Sequence, residues 1–124
     1  MKKNVLIVDD KAEFRLLVKV LLSKEYNVQT ASNGATAQQV INSKFTPDIV
    51  VTDLNMPEYD GYELVDSLKT NNNTKNVPVI VLSSNNKSTD RILLLQKGAN
   101  DYLIKPFNPE ELKLRIENLL RITA

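Results

Sequence analysis

The chain of 124 residues contains no cysteine, no histidine and no tryptophan. Without cysteine there are no disulfides and no thiolate metal centres, a composition that suits a reducing cytoplasm. Without histidine the commonest general base and zinc ligand is missing. Any chemistry falls to carboxylates, lysines, hydroxyls or a hard metal ion. Charge of one sign is also lacking: 16 basic and 15 acidic residues leave a net charge of +1. That balance exerts no general pull on nucleic acid or an anionic membrane, so neither is an expected direct partner. Long apolar runs are absent too. Val5 to Val8 after "MKK" ends in two aspartates and is too short for a secretory leader, and no run reaches membrane-spanning length. What is present is 42% hydrophobic and 25% charged residues, an ordinary globular composition at a length that suits one domain with its own core.

Short apolar strands and amphipathic helices alternate along the chain. "VLIV" (Val5–Val8) is aliphatic without polar alternation, as in a strand buried on both faces. Phe14, Leu17, Val18, Leu21 and Leu22 then recur at helical spacing. Asp10 is positioned to cap that helix, with Glu13 completing a capping-box spacing. "YNVQTAS" is a weaker strand, and Asn33 a cap for a helix over Ala35–Ser43. "PDIVVTD" is a strand ending in Asp53, and "LNMPEYDG" a loop. A helix follows over Gly61–Thr70, with Gly61 at a position that needs no Cβ. "VIVLSS" is a fourth strand. A helix over Ile92–Lys97 closes at Gly98, with Ile92, Leu95 and Ala99 facing the core. Leu93 and Leu94 are surplus to that stripe, and Leu94 is either part of an exposed partner contact or part of a broader buried stripe. "NDYLI" is a fifth strand. Pro109 opens a last helix whose stripe is Leu112, Ile116, Leu119 and Leu120.

Five strands alternating with five helices predict an α/β fold, a doubly wound parallel sheet with helices on both faces. Such sheets place their sites at the carboxyl ends of the strands. Asp9 and Asp10 lie there after the first strand, Asp53 after the third, Ser83 and Ser84 after the fourth, and Lys105 after the fifth. Any one of these has an ordinary explanation, such as a helix cap, a turn or a local hydrogen bond; the set does not. Three carboxylates in one crevice repel each other, and Mg²⁺ is the natural counter-charge. A phosphoryl group accounts for the hydroxyl and the lysine, with Asp53 as the candidate nucleophile. The missing histidine then fits, because a phosphohistidine donor belongs to another protein.

"VLIVDD", "DIVVTDLNMPEYDG", "VPVIVLSS" and "GANDYLIKPF", in this order and spacing, resemble the receiver domain of the response-regulator family, the phosphoacceptor half of two-component signalling. The resemblance covers essentially the whole chain. It implies a (βα)5 flavodoxin-like sheet of strand order 2-1-3-4-5, in a single receiver domain over residues 1–124; with no output domain in these residues, the expectation is either a stand-alone receiver that acts by docking or a receiver cut from a longer chain. It makes Asp53 the phosphoacceptor. Mg²⁺, or Mn²⁺ in its place, would be held by Asp10 directly, by Asp9 mostly through water, by Asp53 and by the Asn55 carbonyl. Ser83 becomes the switch hydroxyl, Tyr102 the coupled aromatic and Lys105 the phosphoryl contact, with a cis Lys105–Pro106 bond.

Expected partners are a sensor histidine kinase or phosphotransfer protein, and a downstream effector or output domain. The face of the fourth helix, fifth strand and fifth helix is also one through which a homodimer could form. The expected setting is a bacterial cytoplasm. The chain is expected to be a switch rather than a turnover enzyme, catalysing only its own phosphorylation and slow dephosphorylation. Ser84, Asn85, Glu58 and Tyr59 stand near the site, where they could touch its rim or bias dephosphorylation.

Rival chemistries fit less well. A haloacid-dehalogenase-type phosphatase wants an acid where Asn55 stands. A flavodoxin-like electron carrier wants a Ser, Thr and Gly-rich first loop where Asp9 and Asp10 stand. A P-loop motif is absent. The alternative that survives is a degenerate receiver, a binding adaptor that works without phosphorylation.

Overall fold

The computed structural model describes residues 2–56, 60–84 and 87–123, with the side chain of Thr123 excepted. Glu58, Tyr59 and Asn85 lie outside the described residues. The elements run β1 (Asn4–Val8), α1 (Ala12–Leu22), β2 (Asn27–Ala31), α2 (Gly34–Asn42) and β3 (Ile49–Asp53). They continue α3 (Gly61–Thr70), β4 (Val79–Ser83), α4 (Ser88–Gln96), β5 (Asp101–Ile104) and α5 (Pro109–Thr123). All pairings are parallel, in the order β2-β1-β3-β4-β5. Chain order reverses between β1 and β3, so the switch point falls beside Asp9 and Asp53.

The central strands are apolar because both of their faces are covered. Every residue of β3 and β4 is buried. Side chains alternate along each strand, so one set faces α1 and α5 and the other faces α2, α3 and α4. Val5, Ile7, Ile49, Val51, Ile80, Leu82 and Leu103 pack with Val18 and Leu22 of α1 and with Leu112, Ile116 and Leu120 of α5. Leu6, Val8, Val50, Val79 and Val81 pack with Ala37 of α2, with Leu64, Val65 and Leu68 of α3, and with Leu94 of α4. The stripe expected on α5 is therefore the observed one.

Helix ends and faces bring corrections. Asp10 does not cap α1. Lys11 occupies the cap position without a side-chain bond, and the Lys11 amide donates to Asp9 Oδ1 at 2.9 Å. The capping box forms at Asp60 and Glu63 of α3 instead, on the same Asp-x-x-Glu spacing. Asn33 caps α2 as expected, accepting from the Thr36 amide at 2.9 Å. Leu17, read as core-facing, is 55% exposed.

On α4 the expected face is inverted: Leu94 is fully buried, while Ile92 and Leu95 are exposed. Leu94 is thus no surface contact. The helix begins at Ser88, so Ser88–Asp90, which could be read as loop or first turn, belong to it, and Asp90 and Leu94 share one face. Asp90 accepts a 2.8 Å hydrogen bond from Tyr62 on α3, and Leu94 packs in the same layer. Gly98 ends this segment at φ +111°, a backbone conformation that glycine adopts without strain.

Candidate functional site

The carboxyl ends of β1, β3 and β5 meet in one acidic crevice. Asp9, Asp10 and Asp53 each bring a carboxylate oxygen to within 4.8 Å of the others. Asp9 is fully buried, Asp53 is 7% exposed, and Asp10 is open to solvent. Lys105 reaches across from β5, placing Nζ 2.8 Å from Asp9 Oδ2 and 3.6 Å from Asp53 Oδ1.

Strand alternation explains who meets whom. Asp53 continues the Ile49–Val51 side of β3, and Asp9 and Lys105 continue the Ile7 and Leu103 sides of their strands. All three therefore belong to the α1–α5 face. Ser83 continues the Val79–Val81 side of β4, and Tyr102 packs in the opposite layer with α2, α3 and α4. Asp9, Asp53 and Lys105 thus leave their strands toward one side of the sheet and Ser83 and Tyr102 toward the other, while Ser83 follows Leu82, the register partner of Asp53, at the same carboxyl edge. Ser83 is buried and its neighbour Ser84 exposed, which distinguishes two serines that the sequence leaves adjacent. The Ser83 carbonyl accepts from the Lys105 amide at 2.7 Å, tying the two strand ends together. Tyr102 is half-buried.

Burial pushes the Asp53 carboxyl above its ordinary value; Lys105 pulls it down, Asp9 pushes it up, and a hydrogen bond from the Leu54 amide lowers it again. The net rise means that a negative charge at Asp53 is undercompensated. The donor set is all oxygen and anionic, with one carboxylate open to water. That fits a hard divalent cation that keeps part of its hydration shell. Asn55, two residues after Asp53, is exposed. The Lys105–Pro106 bond is cis.

Two contributors were not legible beforehand. Phe14, read as core, sets its ring under the Lys105 ammonium, 4.7 Å from Nζ to the ring centroid. Arg15 Nη1 donates to the Asp9 carbonyl at 2.7 Å. Both stand one helical turn after the Asp9–Asp10 pair, and that spacing is the only trace they leave in the sequence. Gly61 has a structural reason: a Cβ there would stand 2.7 Å from the Asp53 carbonyl oxygen and 2.8 Å from Leu54 Cα.

A doubly wound sheet with three acids and a lysine at its switch point defines a class, the phosphoacceptor receivers. Comparison with known proteins agrees. The family model for the response regulator receiver domain matches residues 5–117, and the chain belongs to that family. It is 41% identical over 123 residues to a probable transcriptional regulator, ycf27, of Guillardia theta, covering 98% of this chain and 47% of that protein. It is 40% identical over 119 residues to hybrid signal transduction histidine kinase D of Dictyostelium discoideum, covering 96% of this chain and 8% of that protein. The chain thus spans about half the length of the first relative and a small part of the second. Among solved structures, the receiver domain of Francisella response regulator 1452 superposes with a TM-score of 0.90 at 32% identity, covering 99% of this chain and 100% of that one. The chemotaxis response regulator CheY4 of Vibrio cholerae gives 0.86 at 30%, covering 95% and 98%. Among the described residues, no helix is long and apolar enough to cross a membrane.

Proposed function

We propose that the chain is a phosphoacceptor switch. Asp53 takes a phosphoryl group from a phosphohistidine on a sensor kinase or phosphotransfer protein. The observation that carries this reading is the convergence of the Asp53 carboxylate with Asp9, Asp10 and the Lys105 ammonium. An Asp53 oxygen attacks phosphorus, the new O–P bond forms as the donor's N–P bond breaks, and the imidazole leaves. Lys105, within reach of Asp53, neutralises charge that builds on the phosphoryl oxygens. Asp9, Asp10, Asp53 and the Asn55 carbonyl would hold Mg²⁺, or Mn²⁺ in its place. When bound, the ion supplies further positive charge to those oxygens.

The phosphorylated state then engages Ser83, whose hydroxyl donates to a phosphoryl oxygen, and Tyr102 responds on the same side of the sheet. The face of α4, β5 and α5 shifts population and is read by an effector, by an output domain or by a second copy. Water later hydrolyses the acyl phosphate and resets the switch, so the chain acts on itself rather than turning over a substrate. A cytoplasmic setting suits a kinase donor and a chain without cysteine.

The test is transfer from a histidine kinase autophosphorylated with labelled ATP. Label that arrives on the wild-type chain and not on Asp53→Asn supports the reading. Label that stays on every kinase of a broad panel favours the adaptor alternative.

A further inference from the structure

The Lys105 ammonium is held on more than its two acids. Among the described residues it also lies over the face of Phe14, 4.7 Å from Nζ to the ring centroid. That ring is itself braced edge-to-face on Phe107, with centroids 6.0 Å apart at 85°. Phe14 is half-buried, and the Lys105 side chain is 22% exposed. On the solvent side a groove of about 470 Å³ opens, lined by Phe14, Leu17, Lys105 and Phe107 among others. An ammonium held only by its acids has this space to swing into.

We propose that Phe14 is a positioning residue for the phosphoryl chemistry: its ring face holds the Lys105 ammonium over the Asp9–Asp53 pair. This rests on the reading of Asp53 as phosphoacceptor. A ring face attracts a cation through its quadrupole and offers no lone pair. It therefore restrains the ammonium without offering a strong acceptor that would compete with carboxylate and phosphoryl oxygens for its N–H donors. An acid or amide at this position would compete for those donors. An aliphatic side chain would fill the volume and leave the ammonium unrestrained.

The experiment replaces Phe14 with mono-, di- and trifluorinated phenylalanine, which drains the ring face in steps at nearly constant size. Phe14→Leu and Phe14→Tyr are made alongside. The rate of Asp53 phosphorylation from acetyl phosphate is read at saturating Mg²⁺. It should fall stepwise with fluorination, fall roughly two- to fivefold in Phe14→Leu, and be retained in Phe14→Tyr. A second readout needs no activity: ring current should shift the Lys105 ε-protons upfield in the wild-type chain, and Phe14→Leu should abolish that shift. A wild-type chain without the upfield shift overturns the proposal. So does a rate indifferent to fluorination in a chain that accepts phosphate. No transfer to the wild-type chain, from acetyl phosphate or from any kinase of the panel, overturns the phosphoacceptor reading and the proposal with it.

Discussion

The ammonium of Lys105 lies 2.8 Å from the carboxylate of Asp9, a fully buried acid 96 residues away in the chain. The pair joins the ends of β1 and β5, which are not neighbours in the sheet. Lys105→Met should leave Asp9 without that partner and Asp53 without its nearest compensating charge. With Lys105 partly solvated, the loss should be about 1–3 kcal/mol in chelator. Mg²⁺ should narrow the gap between variant and wild type, because a bound cation replaces the missing charge. Urea denaturation with and without Mg²⁺ checks this; a gap that widens with Mg²⁺ contradicts it.

Asp53 carries a cost that depends on pH. Its carboxyl titrates above the ordinary value of 3.8, mainly through burial. Between 3.8 and the raised folded value, the folded chain binds more protons than the unfolded chain. Stability is therefore lost as pH rises through that window, and the cost is complete above it. Asp53→Asn lacks this cost. In chelator it should melt a few degrees higher than wild type at pH 7, and the advantage should vanish below pH 3.8. Thermal melts across pH read the difference. An Asn variant no more stable at pH 7 than at low pH, relative to wild type, argues against an undercompensated site.

Gly61 ties the start of α3 to the end of β3. Its amide donates to the Leu54 carbonyl at 2.9 Å, and a Cβ would press on the backbone of Asp53 and Leu54. Backbone cannot swing aside as a side chain does. Gly61→Ala should cost about 1–3 kcal/mol and slow phosphorylation of Asp53 by displacing its strand end. Denaturation and phosphorylation rates measured together check both parts; a variant of wild-type stability refutes the close approach.

Tyr62 and Asp90 latch α4 to α3. The phenol donates to Asp90 Oδ1 at 2.8 Å, and burial with that neighbouring carboxylate pushes the phenol up to about 12. The bond therefore persists throughout the physiological range. Tyr62→Phe should cost about 0.5–1.5 kcal/mol and speed amide exchange in α4 more than in α5. Equal exchange in the two helices would show that the bond does not hold α4.

How much of this was legible follows from where each signal lies. The sheet was readable because β1, β3 and β4 are covered on both faces and so carry continuous apolar runs, with polar residues only toward their ends. The site was readable because its acids and lysine stand at strand ends, where an alternating fold must bring them together. Helix faces were harder. Ile92, Leu93, Leu94 and Leu95 form an unbroken apolar run with no period of its own. The face of α4 depends on Leu94 and on the Tyr62–Asp90 bond, which is made 28 residues apart. Likewise Asp10 and Asp60 share one Asp-x-x-Glu spacing, and only Asp60 caps. At the first, Asp9 already accepts from the Lys11 amide, an arrangement local spacing does not reveal.

The most direct test of the central claim is intact mass after incubation with acetyl phosphate, for the wild-type chain and Asp53→Asn, with Mg²⁺ or with chelator. The account predicts one phosphoryl adduct, on the wild-type chain alone and only with Mg²⁺. An adduct that persists on Asp53→Asn, or that forms equally well in chelator, would contradict it.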